Sequence, residues 1–303
     1  MKLELDYAYP AGSNIDDIAA SVSGETDTLV EVILAVPSHL EPVPCCAATR
    51  ASLRGGFSVS QMEAMRQHRE LQRALERWDV RCRLLPAEPD LADLCFTRDA
   101  AVTTPWGLLG LNPALPHRAR EVDYLLQFAR NAGIPIFDTL RHGTAEGGDI
   151  CIARPGLIFI GCSGERTSEE GARSIAAMFE AAGWDAVIYH FDPHFLHLDT
   201  QFCMVRPDLA LACTDVLSDA FLAKLDGFGI ETIAVSYKEA MQLGCNILAV
   251  GQDRILSSLQ NDRVNSLLRD RGLDVQAVDI SQFTRCGGGI HCLTMPLLRQ
   301  AVR

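Results

Sequence analysis

One pattern governs what this chain can fold into: strand, strand, helix and strand, returning four or five times along 303 residues with no low-complexity linker between units. The first strand is TLVEVILAV (28–36), stopped by Pro37, and the first helix spans 58–78 and opens on a serine cap. VRCRLLP (80–86) alternates apolar with polar and reads as a strand. DLCFTRDAAVTT and LLGLNP form a hairpin, and HRAREVDYLLQFARNAG is an amphipathic helix closed by Gly133. The order then returns: ICIARPGLIFIGC (150–162) gives two short strands around Pro155–Gly156, and 168–184 is a helix with acidic residues in its first turn. Strands DAVIYHF and FCMVRPDLALACT, a helix near 217–226, strand IETIAVS, the strand pair NILAVGQDRILSS, helix DRVNSLLRDRGL and strand DVQAVDI complete the series before a glycine run at 287–289. The series reads as one α/β domain over residues 1–303. No Gly-rich fingerprint follows the first strand, which disfavours a dinucleotide-binding fold.

Charge and cysteine usage narrow the function classes. Lys plus Arg number 27 against 39 Asp plus Glu, a formal charge of -12, so a nucleic-acid partner is not expected and a small cationic ligand is favoured. The 11 cysteines are an odd number without CxxC spacing, which does not describe a disulfide scaffold. The opening MKLELDYAYPAGSN carries acidic residues where a signal peptide needs an apolar stretch, and no run of about 18 apolar residues occurs. A reducing cytoplasm is the expected compartment, with no membrane partner and most thiols acting as small buried hydrophobes.

The chemistry concentrates in a few short segments. In TRCGGGIHCLTMP (284–296), Cys292 follows three glycines that let backbone N–H groups approach a ligand, and a thiol on such a loop is expected to be exposed; a Gly-rich turn with an incidental buried cysteine is the plainer reading. In HFDPHFLHLDTQF (190–202), the spacing of His190, His194 and His197 fits one helical face. Pro193 and the strand-like FCMVR argue against a helix there, so no metal site is expected. Strand alternation in HLDT instead points His197 and Asp199 to one side, an acid/base beside a carboxylate. AEGGDI (145–150) sets Glu146 and Asp149 around two glycines, as a simple turn also would, and CFTRDAAV (95–102) places Asp99 beside Arg98, as a local ion pair also would. A thiol, an imidazole and three carboxylates suit a planar cation. Carboxylates accept a guanidinium's N–H fork bidentately and hold its central carbon before a thiolate, and the bound cation favours that thiolate.

The order FTRD, EGGD, GERTS, HLDT and GGGIHCLTMP resembles the guanidine-modifying superfamily, most closely arginine deiminase, over roughly residues 90–300. The resemblance implies the pentein fold, five ββαβ units in pseudosymmetric array around a central site. It implies Cys292 as nucleophile, His197 as acid/base, Asp99, Glu146 and Asp199 as guanidinium ligands, and Phe96 packed on the guanidinium plane. Arg166 in GERTS and Arg118 in PHRARE match arginines that hold the substrate's carboxylate, and Arg285 lies near where the family often has another. Asp93 departs from the family's usual Asn; an Asp suits an α-ammonium and repels a carboxylate.

The implied reaction is hydrolysis of L-arginine or a close relative to citrulline, or its ureido analogue, and ammonia through an amidino-thioether, with no metal or organic cofactor. Dimethylarginine dimethylaminohydrolases resemble the chain less, since they tend to lack the Asp of HLDT. Amidinotransferases retain it and stay open, as does a non-catalytic protein that senses arginine-like metabolites. A Cys286–Cys292 redox pair lacks the spacing of known dithiol motifs. The expected partner is a small cationic guanidine compound; whether the chain forms a homo-oligomer is left open.

Overall fold

The computed structural model describes residues 20–301. The signal-peptide reading of residues 1–14 therefore lies outside the described residues, as do both ends of the 1–303 span. In chain order the elements begin with β1 (Thr28–Ala35), α1 (Ala47–Arg54), α2 (Gln61–Glu76) and β2 (Arg81–Leu85). Next come β3 (Ala101–Thr104), β4 (Gly107–Gly110), α3 (Ala119–Asn131) and β5 (Ile136–Thr139), then β6 (Ile150–Arg154), β7 (Leu157–Cys162), α4 (Glu169–Ala181) and β8 (Asp185–His190). The following unit holds β9 (Phe202–Arg206), β10 (Leu209–Ala212), α5 (Asp219–Gly227) and β11 (Glu231–Ala234), and after α6 (Tyr237–Ala240) come β12 (Leu248–Gly251), β13 (Arg254–Ser258), α7 (Asp262–Asp270) and β14 (Asp274–Val278). The last elements are α8 (Ser281–Thr284) and β15 (Met295–Gln300).

Each unit closes its own three-stranded sheet, five among the described residues. The middle strand of every sheet pairs antiparallel on one side and parallel on the other: β4, β7, β10 and β13 lie between their chain neighbours, and β1 lies between β15 and β2. The reason is geometric, since a tight turn suffices for the antiparallel partner while the parallel one needs a crossover, supplied by a helix in each unit. Both chain ends thus meet in one sheet, through β15 and β1. This is the five-fold ββαβ array that the resemblance implies. Strands such as LIFIGC of β7 are buried throughout, so they read as continuous apolar runs. The helices bury one stripe: in α2 Ala64, Gln67, His68, Leu71, Ala74 and Leu75 are buried, a spacing of three and four.

Element boundaries move in ways that capping explains. The helix expected at 58–78 starts at Gln61 because Ser60, not Ser58, accepts the Glu63 N–H. The helix expected at 168–184 starts at Glu169, with Ser168 as its cap. Strand alternation through HLDT is corrected: Leu198–Thr200 is a single 3-10 turn and the strand begins only at Phe202.

That turn recurs. Thr97–Ala100 precedes β3, Gly147–Asp149 precedes β6 and Leu198–Thr200 precedes β9, each a short 3-10 turn, and the middle one packs against the other two. Asn246 stands two residues before β12, and the turn holding Cys292 leads into β15. The entry to the first strand of each sheet therefore faces a common centre.

Candidate active site

The five entry turns bring together residues distant in sequence. Cys292 is buried, not exposed as expected of a glycine loop, at 2% accessibility. Asn246 covers it: its Nδ2 donates to the Cys292 sulfur at 3.3 Å, and its Oδ1 accepts the His291 N–H at 2.9 Å. The thiol lies 3.7 Å from Asp199 Oδ2. Burial, then the charges of Asp199 and Asp99, push this thiol well above its ordinary range, against the Gly289 N–H and Asn246. In the free enzyme it is a neutral thiol.

His197, fully buried, donates from Nε2 to Glu146 Oε2 at 2.9 Å, and its Nδ1 stands 3.8 Å from Asp99 Oδ1 with no hydrogen-bond partner. Burial alone lowers the basicity of an imidazole; here Asp99, Asp149 and Glu146 overcome it and lift His197 to about 10. The ring is an imidazolium at neutral pH, a proton donor in waiting. Against the burial that would raise it, His197, Arg118 and Arg166 hold Glu146 down to about 2. Gly148 is what lets the imidazole sit so close, since a Cβ there would lie 2.6 Å from His197 Nδ1. Gly288 does the same for Phe96, whose ring would be 2.2 Å from an added Cβ.

The arginines divide. Arg166 Nη1 meets Glu146 at 3.1 Å and its Nη2 donates to the Cys45 carbonyl at 3.1 Å. Arg118 lines the same inner pocket, but its guanidinium is held by Asp99 at 2.6 Å and by Glu121 at 2.8 Å. It stands as a counter-ion among the carboxylates, in place of the open carboxylate grip expected for it. Arg285 lies on an outer cavity that adjoins the inner pocket, with its guanidinium 5.0 Å over the Phe57 ring. Asp93 does line the inner pocket, and its carboxylate meets His117 Nε2 at 3.0 Å. Arg98 pairs with Glu25 at 3.2 Å, not with its neighbour Asp99. The trio His190, His194 and His197 is not brought together: His190 meets Glu169, His194 meets the Tyr237 hydroxyl, and only His197 enters the site. All eleven cysteines are free thiols, Cys286 among them on the wall of the pocket.

Sequence reasoning missed a supporting layer. His291 donates from Nδ1 to Asp199 Oδ2, 2.9 Å away, and its Nε2 reaches Glu25 at 3.2 Å. Asp149 takes the Leu198 N–H at 2.8 Å and the Thr167 hydroxyl at 2.6 Å, which ties the Glu146 and His197 turns together. Only Asn246 had a usable signal, its place before a first strand in the repeat. Asp99, Glu146 and His197 present their ligand atoms within 4.8 Å of one another, close enough for a cation, with Arg118 and Arg166 already neutralising the carboxylates.

Two cavities meet here. An inner one of about 20 Å³ is lined by Asp99, His197 and Cys292 among others, and an outer one of about 460 Å³ shares Cys46, Leu196 and Gly287 with it. No helix among the described residues is long and apolar enough to cross a membrane.

Comparison with known proteins places this geometry. The family profile described as N,N dimethylarginine dimethylhydrolase, eukaryotic, matches residues 47–299. The uncharacterized protein YkgA of Bacillus subtilis is 29% identical over 279 residues, 91% of this chain and 94% of its own. An arginine deiminase of Levilactobacillus brevis is 31% identical over 258 residues, 69% of this chain, which spans 62% of that relative's length. Among solved structures, the product-bound N-terminal domain of ArgZ, an arginine dihydrolase from the ornithine-ammonia cycle in cyanobacteria, superposes with a TM-score of 0.78 at 20% identity, over 91% of this chain and 100% of that one. That likeness is one of fold.

Proposed function

The chain belongs to the N,N dimethylarginine dimethylhydrolase family within the guanidine-modifying superfamily, and from that premise we propose that it hydrolyses the unsubstituted guanidinium of free L-arginine or a close relative. Its class is hydrolysis of amidine C–N bonds. One observation carries the choice of substrate: Asp199 is buried with Oδ2 3.7 Å from the Cys292 sulfur, and its other oxygen, Oδ1, is buried without a hydrogen-bond partner. A buried carboxylate oxygen without a donor is costly, and a terminal –NH₂ of a guanidinium supplies that donor. A dimethylated nitrogen has no N–H to give.

The proposed steps begin with substrate capture. Its positive charge, set against Asp99, Glu146 and Asp199 with Phe96 on its plane, favours ionisation of Cys292, whose proton leaves to solvent because His197 is already protonated. The thiolate forms a C–S bond to the guanidinium carbon. The C–N bond then breaks as His197 gives its proton to the departing nitrogen, which leaves as ammonia. Water loses one proton to His197 and attacks the amidino-thioether carbon; the C–S bond then breaks as the adduct's hydroxyl proton passes to the sulfur, which yields the neutral ureido product and restores the thiol. An inner cavity of about 20 Å³ cannot hold such a substrate, so entry requires the shared wall at Cys46, Leu196 and Gly287 to part. The site's own groups carry every step of this sequence, and the proposal assigns the substrate carboxylate to Arg166, which lines the inner pocket.

The family match over residues 47–299 favours a second reading, release of dimethylamine from N,N-dimethylarginine. A panel of arginine, agmatine, methylated arginines and arginine with glycine separates the outcomes. Ammonia and citrulline from arginine, unchanged by glycine, support the leading reading; dimethylamine without ammonia supports the second; ornithine formed only with an acceptor amine overturns hydrolysis in favour of amidino transfer. Mass spectrometry of protein quenched during turnover tests the covalent step. A substrate-derived increment on Cys292 is expected, and turnover without any such increment, or full activity in Cys292→Ala, would overturn it.

A further inference from the structure

A second cluster of reactive side chains lies outside the pocket, where the third sheet meets its helix. Cys162 ends β7 and His190 ends β8, and they are paired across the last rung of that parallel ladder. Partners on one rung point to the same face of a sheet. That face is covered by α4, whose first residue is Glu169. The result is a thiol, a carboxylate and an imidazole whose ligand atoms all lie within 4.8 Å of one another. Glu169 Oε2 is 2.6 Å from His190 Nε2 and 3.7 Å from Cys162 Sγ, while Glu169 Oε1 is taken by Arg173 at 2.5 Å. Cys162 is buried and His190 exposed, so the fourth side of the cluster faces solvent.

We propose that Cys162, Glu169 and His190 form a binding site for a divalent metal ion of the zinc type, with water as the fourth ligand. The donor set is the mix of sulfur, nitrogen and oxygen that zinc and cobalt accept in tetrahedral geometry, and it excludes the all-oxygen preference of calcium and magnesium. All three residues sit at ends of regular elements, so little chain entropy opposes their convergence. Binding replaces the thiol proton with the metal and releases that proton to solvent.

The position gives the site a consequence. Cys162 and Glu169 bracket the loop 163–168, which sends Arg166 to Glu146 and Thr167 to Asp149. His190 opens the segment that carries Leu196, on the shared wall of the two cavities, and then His197. A metal there clamps both segments that enter the pocket from this side, without touching the pocket itself.

The test uses the full chain, stripped with chelator and titrated with Co²⁺ alone. A sulfur-to-cobalt charge-transfer band in the near ultraviolet is expected at one equivalent, with a concentration-dependent rise in melting temperature. The band disappears in Cys162→Ser, and affinity falls at least about tenfold in His190→Ala, an exposed substitution that spares the fold. Cys292→Ser retains the band, which separates this site from the catalytic thiol. No band in the native chain, or a band lost in Cys292→Ser and kept in Cys162→Ser, overturns the proposal.

Discussion

Asp199→Asn tests the reading of the site at its sharpest point. The two residues have the same shape, so His291 Nδ1, 2.9 Å from Asp199 Oδ2, keeps an oxygen to bond. What changes is the charge and the free atom: where Oδ1 now waits unpartnered, asparagine presents an –NH₂ to a substrate that also presents N–H. A hydrogen bond to a charged group contributes about 1.5–3 kcal/mol. At 1.4 kcal/mol per tenfold, kcat/KM for arginine falls by about 10- to 150-fold. The same substitution acts on the thiol in the opposite sense. After burial, Asp199 is the first charge that raises the Cys292 thiol, so its removal eases ionisation. Alkylation of Cys292 by iodoacetamide, followed against pH without substrate, therefore moves to lower pH while turnover declines. Steady-state kinetics on arginine and on N,N-dimethylarginine complete the assay. A larger loss is expected for the unsubstituted substrate, whose departing nitrogen offers N–H to Oδ1 where a dimethylated nitrogen offers none. An equal loss for both substrates, or unchanged kcat/KM for arginine, would refute the assignment of Asp199 as a reader of the terminal nitrogen.

The other predictions concern the acid/base pair and the cover of the thiol. His197 titrates at about 10 in the folded chain, above its ordinary 6.5, so the stability it contributes is complete below 6.5 and is lost as pH rises toward 10. Glu146 runs the other way, lowered from 4.5 to about 2, with its contribution present above 4.5 and lost as pH falls toward 2. Melting temperature against pH should fall on both flanks, and His197→Gln should flatten the alkaline flank; an unaltered alkaline limb in that variant contradicts the assignment. Asn246→Ala removes the donor 3.3 Å from the Cys292 sulfur, a bond worth about 1.5 kcal/mol to a thiolate, so kcat should fall roughly tenfold. KM should stay within about twofold and Asn246→Gln should not rescue, because its longer side chain displaces the amide; a pure KM effect counts against a role in holding the thiol.

How much of this was legible in the sequence follows the range of the forces involved. The ββαβ units could be read because strand runs and the α2, α3 and α4 stripes are local patterns with strong periods. The helices α1, α6 and α8 were not read, since they are of eight, four and four residues and depend on caps and tertiary contact, as when Cys46 caps α1 through its sulfur. Within the site, Asp99, Glu146, His197, Asp199 and Cys292 could be named from their motifs, and the structure brings them to one place. The burial of Cys292, the capture of Arg118 by Asp99 and Glu121, and the His291–Glu25–Arg98 chain could not, because each is a contact across many residues of sequence.

The excess of acid in the composition has a local counterpart that bears on the order of events. Around the inner pocket, Asp93, Asp99, Glu146 and Asp199 face Arg118, Arg166 and a protonated His197. Burial disfavours a thiolate on Cys292, and the carboxylates of Asp199 and Asp99 beside it add repulsion, which is why the free thiol holds its proton. A monocationic guanidinium changes that balance by one unit, the amount needed to offset ionisation of the thiol. A neutral ureido product offers no such offset, so its formation returns the site to the state in which Cys292 is protonated. Substrate charge therefore acts both as the handle for capture and as the switch for the nucleophile. Absorbance of the thiolate near 240 nm should rise on binding of an unreactive guanidinium and remain flat with a neutral urea of the same shape.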